Sequence, residues 1–285
     1  MKNLLLTGSG GFIGKNLKNY LEGNYNLFCP RSFELDLTDG YAVEEFFKSN
    51  EIDFIIHCGS VGGARGIEDA SSTVEDNLKM VDNILTFKRP EVRVILFGSG
   101  AMYDKSRSLY KVKESEIGEV VPSDLYGKSK YLIYEKVKGR ADVLMLNIFA
   151  CYGYGEKENR FPSYAVNQVL KGEDILINQN VVFDYLFVED MARIVEYFIQ
   201  NRPNDNVINI TPTKSCSLLE IAEAVKDLSG ASCGIEILAP EMNNEYTGDN
   251  SLLIKNFSAV EFTPLDVGLK KLYEYKKSLI KETIK

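Results

Sequence analysis

A glycine-rich turn directly behind a short apolar run limits what this chain can fold into. Residues 4–7 are apolar or β-branched, and Gly8, Gly11 and Gly14 follow at three-residue intervals. Glycines at this spacing let the backbone turn sharply out of a strand and into a helix. The helix would have one apolar face, formed by Phe12, Ile13, Leu17 and Leu21. The turn therefore predicts a strand–turn–helix unit whose unpaired N–H groups point at an anion such as a pyrophosphate.

Short β-rich runs alternate with helical patterns along the chain. The runs are residues 4–7, 27–29, 54–58, 92–97, 143–149 and 207–210. This alternation predicts an α/β fold in which helices cover both faces of a doubly wound parallel sheet. The continuous apolar content of residues 54–56 and 94–97 fits strands buried on both sides. Together with the glycine turn, the pattern predicts a Rossmann-type sheet.

The strand–helix rhythm changes after Phe149, which predicts a second part of the molecule. We expect a dinucleotide-binding domain over residues 1–150, to which residues 183–210 return. Residues 151–182 and 211–285 would mainly form a smaller C-terminal substrate-binding lobe.

Two helices of this lobe have clear start signals. Ser217 and Glu220 have the spacing of a capping box for a helix that runs through Leu228. Thr263 is expected to cap the last helix, with Pro264 at its first position. The predicted inner face of that helix consists of Leu265, Leu269, Leu272 and Leu279.

Composition excludes several classes of function. The formal net charge is −8 and no long basic run occurs, so bulk electrostatics would not hold a nucleic acid or an anionic membrane. Without a membrane-length apolar stretch or a leader pattern, the chain is expected to be cytoplasmic. His57 is the only histidine, and the five cysteines lack C-x-x-C spacing. No metal site is predicted, and His57 is expected to be a buried strand-end residue rather than a base.

Tyr126 and Lys130 are candidate catalytic residues. They are four residues apart, so on a helix their side chains lie on the same face. A tyrosine that works as acid or base near neutral pH needs a lowered pKa, and a nearby ammonium group favours the phenolate. Ser99 follows a buried run and so lies at the carboxyl end of a strand, where open α/β sheets bind ligands. With the glycine turn, these three residues predict a hydride-transfer enzyme in which Ser99 holds a substrate oxygen.

These motifs resemble the extended short-chain dehydrogenase/reductases of the nucleotide-sugar epimerase, dehydratase and reductase group. The resemblance covers nearly the whole chain, through residues 7–14, 36–39, 57–60, 98–103, 126–130 and 184–190, with Asn77, Tyr152 and Gly153. It implies that Ser99 binds the sugar oxygen and that Tyr126 exchanges its proton. Lys130 would hold the nicotinamide ribose and lower the pKa of Tyr126.

The resemblance also implies where ligands and partners lie. The implied cofactor residues are Gly8, Gly11, Phe12, Ile13, Gly14, Asp36, Leu37, Cys58, Gly59, Ser60, Asn77 and Lys130. Val61 lies in a turn similar to that of GDP-fucose synthases and is expected, with Ser99, at the substrate. Many members of the group form homodimers through the two helices that flank the sheet, so a homodimer is implied.

Positions where this chain differs from the group reduce the number of reactions that it could catalyse. Its dehydratases carry an Asp-Glu pair directly after the serine, where this chain has Gly100 and Ala101. GDP-fucose synthases epimerise with a cysteine at the position of Ala101 and a distant histidine, whereas His57 lies in a strand. Elimination of water and carbon-acid epimerisation are therefore disfavoured. Reduction of a nucleotide-linked 4-keto-sugar is the favoured function.

The substrate pocket also departs from the group. Phe183 replaces the arginine that precedes the aspartate in many relatives, and Ala150 replaces an asparagine that contacts substrate. Arg160 in the predicted lobe is the candidate to hold the diphosphate, because a guanidinium group binds phosphate oxygens in pairs.

Cofactor choice depends on the end of the second strand. Arg31 stands where an arginine would bind the 2′-phosphate of NADP, and the strand end itself carries no acidic residue. NADP is therefore favoured, although Glu34 leaves NAD open.

Two other functions fit the same motifs. A nucleotide-sugar 4-epimerase would need only Ser99, Tyr126, Lys130 and a retained NAD. A non-catalytic sensor that kept the dinucleotide site would also explain the unusual Phe183 and Ala150.

Overall fold

Fourteen strands and nine α-helices form in the part of the chain that the computed structural model describes, residues 1–283. The strands are β1 (Asn3–Thr7), β2 (Asn26–Phe28), β3 (Phe54–His57), β4 (Arg93–Ser99), β5 (Leu109–Val112), β6 (Val143–Ile148), β7 (Ala150–Tyr152), β8 (Ile175–Gln179), β9 (Val182–Phe183), β10 (Tyr185–Phe187), β11 (Val207–Asn209), β12 (Cys216–Ser217), β13 (Ile235–Ala239) and β14 (Tyr246–Gly248). The α-helices are α1 (Phe12–Leu21), α2 (Gly40–Ser49), α3 (Thr73–Phe87), α4 (Leu125–Val137), α5 (Phe161–Lys171), α6 (Val188–Gln200), α7 (Leu218–Ser229), α8 (Ser251–Asn256) and α9 (Leu265–Thr283).

Six strands form one parallel sheet in the order β11-β6-β4-β3-β1-β2. The order reverses at β1, which pairs with β2 on one side and with β3 on the other. Thr7 and His57 stand opposite each other at the carboxyl ends of β1 and β3. A reversal of this kind opens a crevice at the carboxyl ends of the strands. The predicted α/β fold with a Rossmann-type parallel sheet is confirmed.

Residues of the central strands alternate between two buried clusters, one on each face of the sheet. Leu5 and Ile55 face the cluster that includes residues of α2, α3 and α4. Leu4, Leu6 and Ile56 face the cluster that includes residues of α1 and α6. Because both faces are covered, the strands are apolar along their whole length, which explains the continuous runs in the sequence.

A third cluster is formed by α5, α7, α9 and β8, in the region predicted as the smaller lobe. The predicted capping box of α7 is confirmed, since Ser217 Oγ accepts from Glu220 N and Glu220 Oε2 accepts from Ser217 N at 2.7 Å. The lobe boundaries at residues 150, 183 and 210 stay predictions, and the last two residues of the predicted range 211–285 lie outside the described chain.

The small sheet β12-β9-β14-β5 joins this lobe to the first half of the chain. Leu109 on β5 stands opposite Tyr246 on β14. Asp184 is fully buried behind the sheet, where its carboxylate accepts from Gly248 N at 2.8 Å, Ser215 Oγ at 2.6 Å and Lys111 Nζ at 3.1 Å. These bonds fix β14 beside the carboxyl end of the large sheet.

Two details of the predicted α9 are wrong: its first residue and one residue of its inner face. The helix begins at Leu265 rather than at Pro264. The Thr263 hydroxyl donates to Asp190 Oδ1 at 2.6 Å and so ties the chain to α6. Leu279 is 43% exposed, although Leu269 and Leu272 are fully buried. The residues of α9 that pack in the third cluster are Leu265, Leu269, Leu272, Tyr273 and Tyr275.

Within residues 1–283, no helix combines the length and the apolar character that crossing a bilayer requires.

His57 is buried at the end of β3, where Nδ1 lies 2.7 Å from Thr7 Oγ1. Burial, helped by the charge of Lys130, lowers the pKa of His57 to about 3. The unfolded chain binds a proton at this residue below about pH 6.5, whereas the folded protein does not do so until about pH 3. Burial of neutral His57 therefore carries no protonation cost above pH 6.5. As the pH falls from 6.5 towards 3, protonation of His57 in the unfolded chain lowers the free energy of unfolding.

We expect His57→Asn to remove this part of the acid sensitivity, because the amide can replace the bond to Thr7 but does not titrate. Urea unfolding at several pH values between 7 and 4.5 measures it. Relative to the variant, the wild-type free energy of unfolding should fall by about 1.4 kcal/mol per pH unit below pH 6. A difference between the two proteins that stays constant with pH would contradict the assignment.

Candidate active site

The glycine turn is held against the end of β3 by a close backbone contact. Gly8 has φ +67°, and a Cβ atom there would lie 2.6 Å from Cys58 C and Gly59 N. A Cβ atom on Gly14 would overlap the carbonyl oxygen of Gly8. Side chains at either position would push β1, α1 and β3 apart, so the two glycines set the spacing at this end of the sheet.

The amino terminus of α1 opens towards the crevice. Gly11 is the N-cap residue, and no side chain caps the first turn. The first N–H groups of a helix have no partner within the helix, and the helix dipole favours an anion there. The side chains of Phe12 and Ile13 pack into the cluster between α1 and α6. Their backbone N–H groups, rather than their side chains, fit a pyrophosphate.

A cleft of about 470 Å³ extends from this turn along the carboxyl ends of β1, β2 and β3. Eight of the predicted cofactor residues line it: Gly8, Gly11, Arg31, Asp36, Leu37, Cys58, Gly59 and Ser60. Val61, predicted at the substrate, lines it as well, and so do Asp76 and Met80 of α3, which sequence reasoning missed. The cleft, its glycine floor and the uncapped helix fit an extended dinucleotide.

Asn77 supports this cleft from behind. Its side chain accepts from Val61 N at 2.8 Å and donates to Val61 O at 2.9 Å and to Ser129 Oγ at 3.1 Å. Both amide hydrogens are therefore used within the protein. Asn77 positions the loop after β3 and connects it to the helix that carries Tyr126.

Arg31 and its neighbours form the far end of the cleft. The guanidinium group lies over the glycine turn, where a Cβ atom on Gly10 would be 3.0 Å from Arg31 Cζ. Glu34 Oε2 accepts from Arg31 N at 2.7 Å and so closes the local turn. Asp36 Oδ1 accepts two hydrogen bonds from Thr38, which lower the pKa of Asp36. Arg31 and Asp36 both line the cleft, and the Arg31 guanidinium group is the one that lies against the glycine turn.

Ser99, Tyr126 and Lys130 meet at the carboxyl end of β4. Ser99 is the last residue of β4, and its Oγ accepts from Ala101 N at 3.1 Å. Tyr126 lies in the first turn of α4, and the nearby Ser99 side chain acts to lower its pKa. Lys130 follows one turn later, and its Nζ lies 5.5 Å from the centre of the Tyr126 ring. The structure thus brings the three predicted residues together.

Burial controls the charge of this group. Burial raises the pKa of Tyr126, and the Ser99 hydrogen bond and the charge of Arg160 oppose this only in part. Burial lowers the pKa of Lys130 to about 8, and its Nζ donates to Phe97 O at 2.9 Å. A lowered pKa for Tyr126 was implied by the resemblance, but here the phenol stays protonated at neutral pH because burial outweighs nearby positive charge.

Asp69 links Tyr126 to the loop after β3. Its Oδ2 accepts from Tyr126 N at 3.0 Å, and its Oδ1 accepts from Gly63 N at 2.7 Å. A Cβ atom on Gly63 would lie 2.9 Å from the Tyr126 ring, so the loop covers one face of that ring. Nothing in the sequence marks Asp69, because its role depends on a contact 57 residues away.

Two arginines lie in loops near the site, Arg160 directly before α5 and Arg65 between β3 and α3. Arg160 precedes α5, and its charge acts on Tyr126 and on Tyr246. Arg65 was missed by sequence reasoning; its carbonyl accepts from Asn159 Nδ2 at 3.3 Å, and its charge acts on Tyr185. Both arginines are exposed, so they are available to an anionic ligand.

Aromatic rings fill the space where the group's usual arginine is missing. Phe183 packs against Tyr185 and Tyr246, with ring centres 5.5 Å and 5.6 Å apart. Tyr246 also packs against Phe149 at 5.3 Å. Ala150 lies in β7, opposite Tyr185 of β10.

Comparisons with known proteins agree with this geometry. Residues 4–211 match the family described as the NAD dependent epimerase/dehydratase family. A curated ADP-L-glycero-D-manno-heptose-6-epimerase of Brachyspira hyodysenteriae is 24% identical over 95% of this chain and 96% of its own length.

Solved structures show the same fold. A GDP-L-fucose synthetase of Naegleria fowleri superposes with a TM-score of 0.82 at 16% identity, over 98% of this chain and 94% of that one. A GDP-mannoheptose C4 reductase of Campylobacter jejuni, solved with NADP bound, gives a TM-score of 0.79 at 21% identity, over 97% of this chain and 98% of that one.

The chain therefore belongs to the NAD-dependent epimerase/dehydratase family. The family resemblance and the enzyme class predicted from the sequence are confirmed.

The last and the middle glycine of the motif should differ in their tolerance of a side chain. Gly14→Ala forces a carbon atom into the Gly8 carbonyl, whereas a Cβ on Gly11 meets only Gly8 O at 3.4 Å. We expect Gly14→Ala to lower the free energy of unfolding by about 1–3 kcal/mol or more, and Gly11→Ala by less than about 1 kcal/mol. Urea unfolding without cofactor measures both, and equal losses would contradict the contact.

Proposed function

We propose that this protein is an NADP-dependent reductase of a nucleotide-linked 4-keto-sugar. One observation carries the proposal: Ser99 and a protonated Tyr126 converge at the end of β4 beside Lys130. A neutral phenol is the form that gives a proton to a carbonyl oxygen, which is the requirement of reduction.

The side chains divide the work at the carbonyl group. Ser99 and Tyr126 would donate hydrogen bonds to the ketone oxygen, and Tyr126 would transfer its proton to that oxygen. Lys130 would hold the nicotinamide ribose and keep a positive charge beside the phenol that loses the proton. The bound nicotinamide supplies the hydride. Gly8, Gly11 and the amino terminus of α1 would hold the pyrophosphate.

The close packing around Gly100, the residue after Ser99, argues against elimination of water. A Cβ atom on Gly100 would lie 2.6 Å from both the Phe149 ring and the Tyr246 hydroxyl. The acidic residue that dehydratases place here therefore has no room, which supports simple transfer at one carbon.

The charges around the site support the choice of ligands. Arg31 faces the cleft, which favours a 2′-phosphate and therefore NADP. Arg160 and Arg65 would meet the diphosphate of the nucleotide sugar, and Val61 would line the sugar side. We also propose a cytoplasmic homodimer formed through the helices beside the sheet, as in the resembling group.

A nucleotide-sugar 4-epimerase with retained NAD is the alternative. It is favoured by the similarity to a curated protein of Neisseria meningitidis named UDP-glucose 4-epimerase, which is 23% identical over 83% of this chain. The two functions differ in whether the cofactor is consumed.

The reductase proposal is tested by NADPH consumption with GDP-, CDP-, UDP- and dTDP-linked 4-keto-6-deoxy sugars. Turnover is expected with at least one of them, and Tyr126→Phe should lower kcat by about 10²–10⁴-fold because the proton donor is lost. Tyr110→Phe, at a side chain that is 74% exposed, is the matched control and should keep wild-type activity. Absence of turnover with every ketone would contradict the proposal.

Arg31→Met tests the cofactor choice. Removing a charged hydrogen bond to the 2′-phosphate should raise the Kd of NADPH about 10- to 100-fold. The Kd of NADH should change less than about threefold, since this ligand has no phosphate at that position. Fluorescence titration measures both, and an equal change for the two nucleotides would show that Arg31 does not read the phosphate.

A further inference from the structure

Tyr246 of the smaller lobe reaches the carboxyl end of β4. A Cβ atom on Gly100 would lie 2.6 Å from the Tyr246 hydroxyl oxygen, so this hydroxyl sits directly over the backbone that follows Ser99. The ring is fixed by packing on Phe149 at 5.3 Å and on Phe183 at 5.6 Å. The position of the hydroxyl is therefore determined by the fold.

The Ser99 hydroxyl is the common neighbour of two phenols. The Ser99 side chain acts on the pKa of Tyr246 as well as on that of Tyr126, and Tyr126 acts on Tyr246 as a further charge, so the three hydroxyl groups are neighbours. The other charged groups that act on Tyr246 are Arg160 and Asp124. Ser99 Oγ thus accepts a hydrogen bond from Ala101 N at 3.1 Å and has the two phenol hydroxyls as further polar neighbours.

A serine hydroxyl has one hydrogen to donate and two lone pairs that accept. The N–H of Ala101 already uses one lone pair at 3.1 Å. If the Tyr246 hydroxyl donates to the other, both accepting positions of Ser99 are filled. The single Ser99 hydrogen then has to point away from both donors, to the place where Ser99 and Tyr126 meet a substrate.

We propose that Tyr246 is a positioning residue whose hydroxyl donates to Ser99 Oγ and thereby fixes Ser99 as a hydrogen-bond donor to the substrate oxygen. The identity of that oxygen as a ketone oxygen rests on the proposed function. The chain of hydrogen bonds from Tyr246 through Ser99 also polarises the Ser99 hydroxyl and strengthens its bond to the oxygen as negative charge develops there.

Through Tyr246, the smaller lobe contributes to the site at the carboxyl end of β4. Tyr246 is the first residue of β14, which the bond from Gly248 N to the buried Asp184 holds in place. A strand of the smaller lobe therefore determines the direction in which the hydroxyl hydrogen of Ser99 points, although Ser99 belongs to the large sheet.

Kinetics of Tyr246→Phe, Ser99→Ala and the double variant test the role. Phenylalanine keeps the ring packing and removes only the hydroxyl. We expect Tyr246→Phe to lower kcat about tenfold with little change in KM, because one hydrogen bond is lost that matters most when charge develops. In the Ser99→Ala background the same change should have almost no further effect. Independent, multiplicative losses would overturn the proposal, and Tyr110→Phe is the control.

A measurement without turnover separates this proposal from the proposed function. In protein labelled with ¹³C at tyrosine Cζ, the Tyr246 signal is assigned by its loss in Tyr246→Phe. Ser99→Ala should shift that signal, whereas Ser106→Ala should leave it unchanged. An unshifted Tyr246 signal in Ser99→Ala would overturn the proposal even if the reductase is active. A shifted signal in a protein that reduces no ketone would support the hydrogen bond and contradict the proposed function.

Discussion

The close contact between the glycine turn and the end of β3 is the constraint on which the rest of this structure depends. Gly8 can approach the backbone of Cys58 and Gly59 only because it has no side chain, and Gly14 packs on Gly8 for the same reason. This contact sets the spacing of β1, α1 and β3 at the point where the strand order reverses. The crevice that results presents the uncapped start of α1 at its floor and the end of β4 at its side, which is the geometry of a dinucleotide-binding enzyme.

The chemistry of the site follows from burial. Ser99 and Lys130 are buried and Tyr126 is half-buried. Away from water a phenolate is costly, and an ammonium group is easier to deprotonate than in water. A protonated Tyr126 beside Lys130 is suited to giving a proton to a ketone oxygen. The fold keeps this arrangement rigid through polar contacts behind the site: Asn77 holds the loop after β3, Asp69 holds the start of α4, and Asp184 holds β14.

The parts that the sequence predicts are those encoded by local patterns. Strands and helices follow from apolar runs and from the spacing of apolar residues. The positions of Ser99 at a strand end and of Tyr126 and Lys130 at a helix start predict that the three residues meet, because strand ends and helix starts share one edge of the sheet. Tyr246, Asp69 and Arg65 were not predictable, because each acts across a tertiary contact that no spacing reveals. The hydrogen bond from the Thr263 hydroxyl to Asp190 on another helix was not predictable for the same reason. The pKa of Tyr126 also depended on burial, which local sequence does not report.

We propose that Tyr126 and its neighbours reduce a carbonyl group in a reaction that consumes the cofactor. This is tested by a reaction with NADPH that carries deuterium at the transferred position of C4, followed by mass spectrometry of the sugar product and of the cofactor. Reduction should give one deuterium atom in each product molecule and one NADP for each. A product that is an epimer of its substrate and has the same mass, formed with no NADPH consumed, would rule out reduction and identify an epimerase.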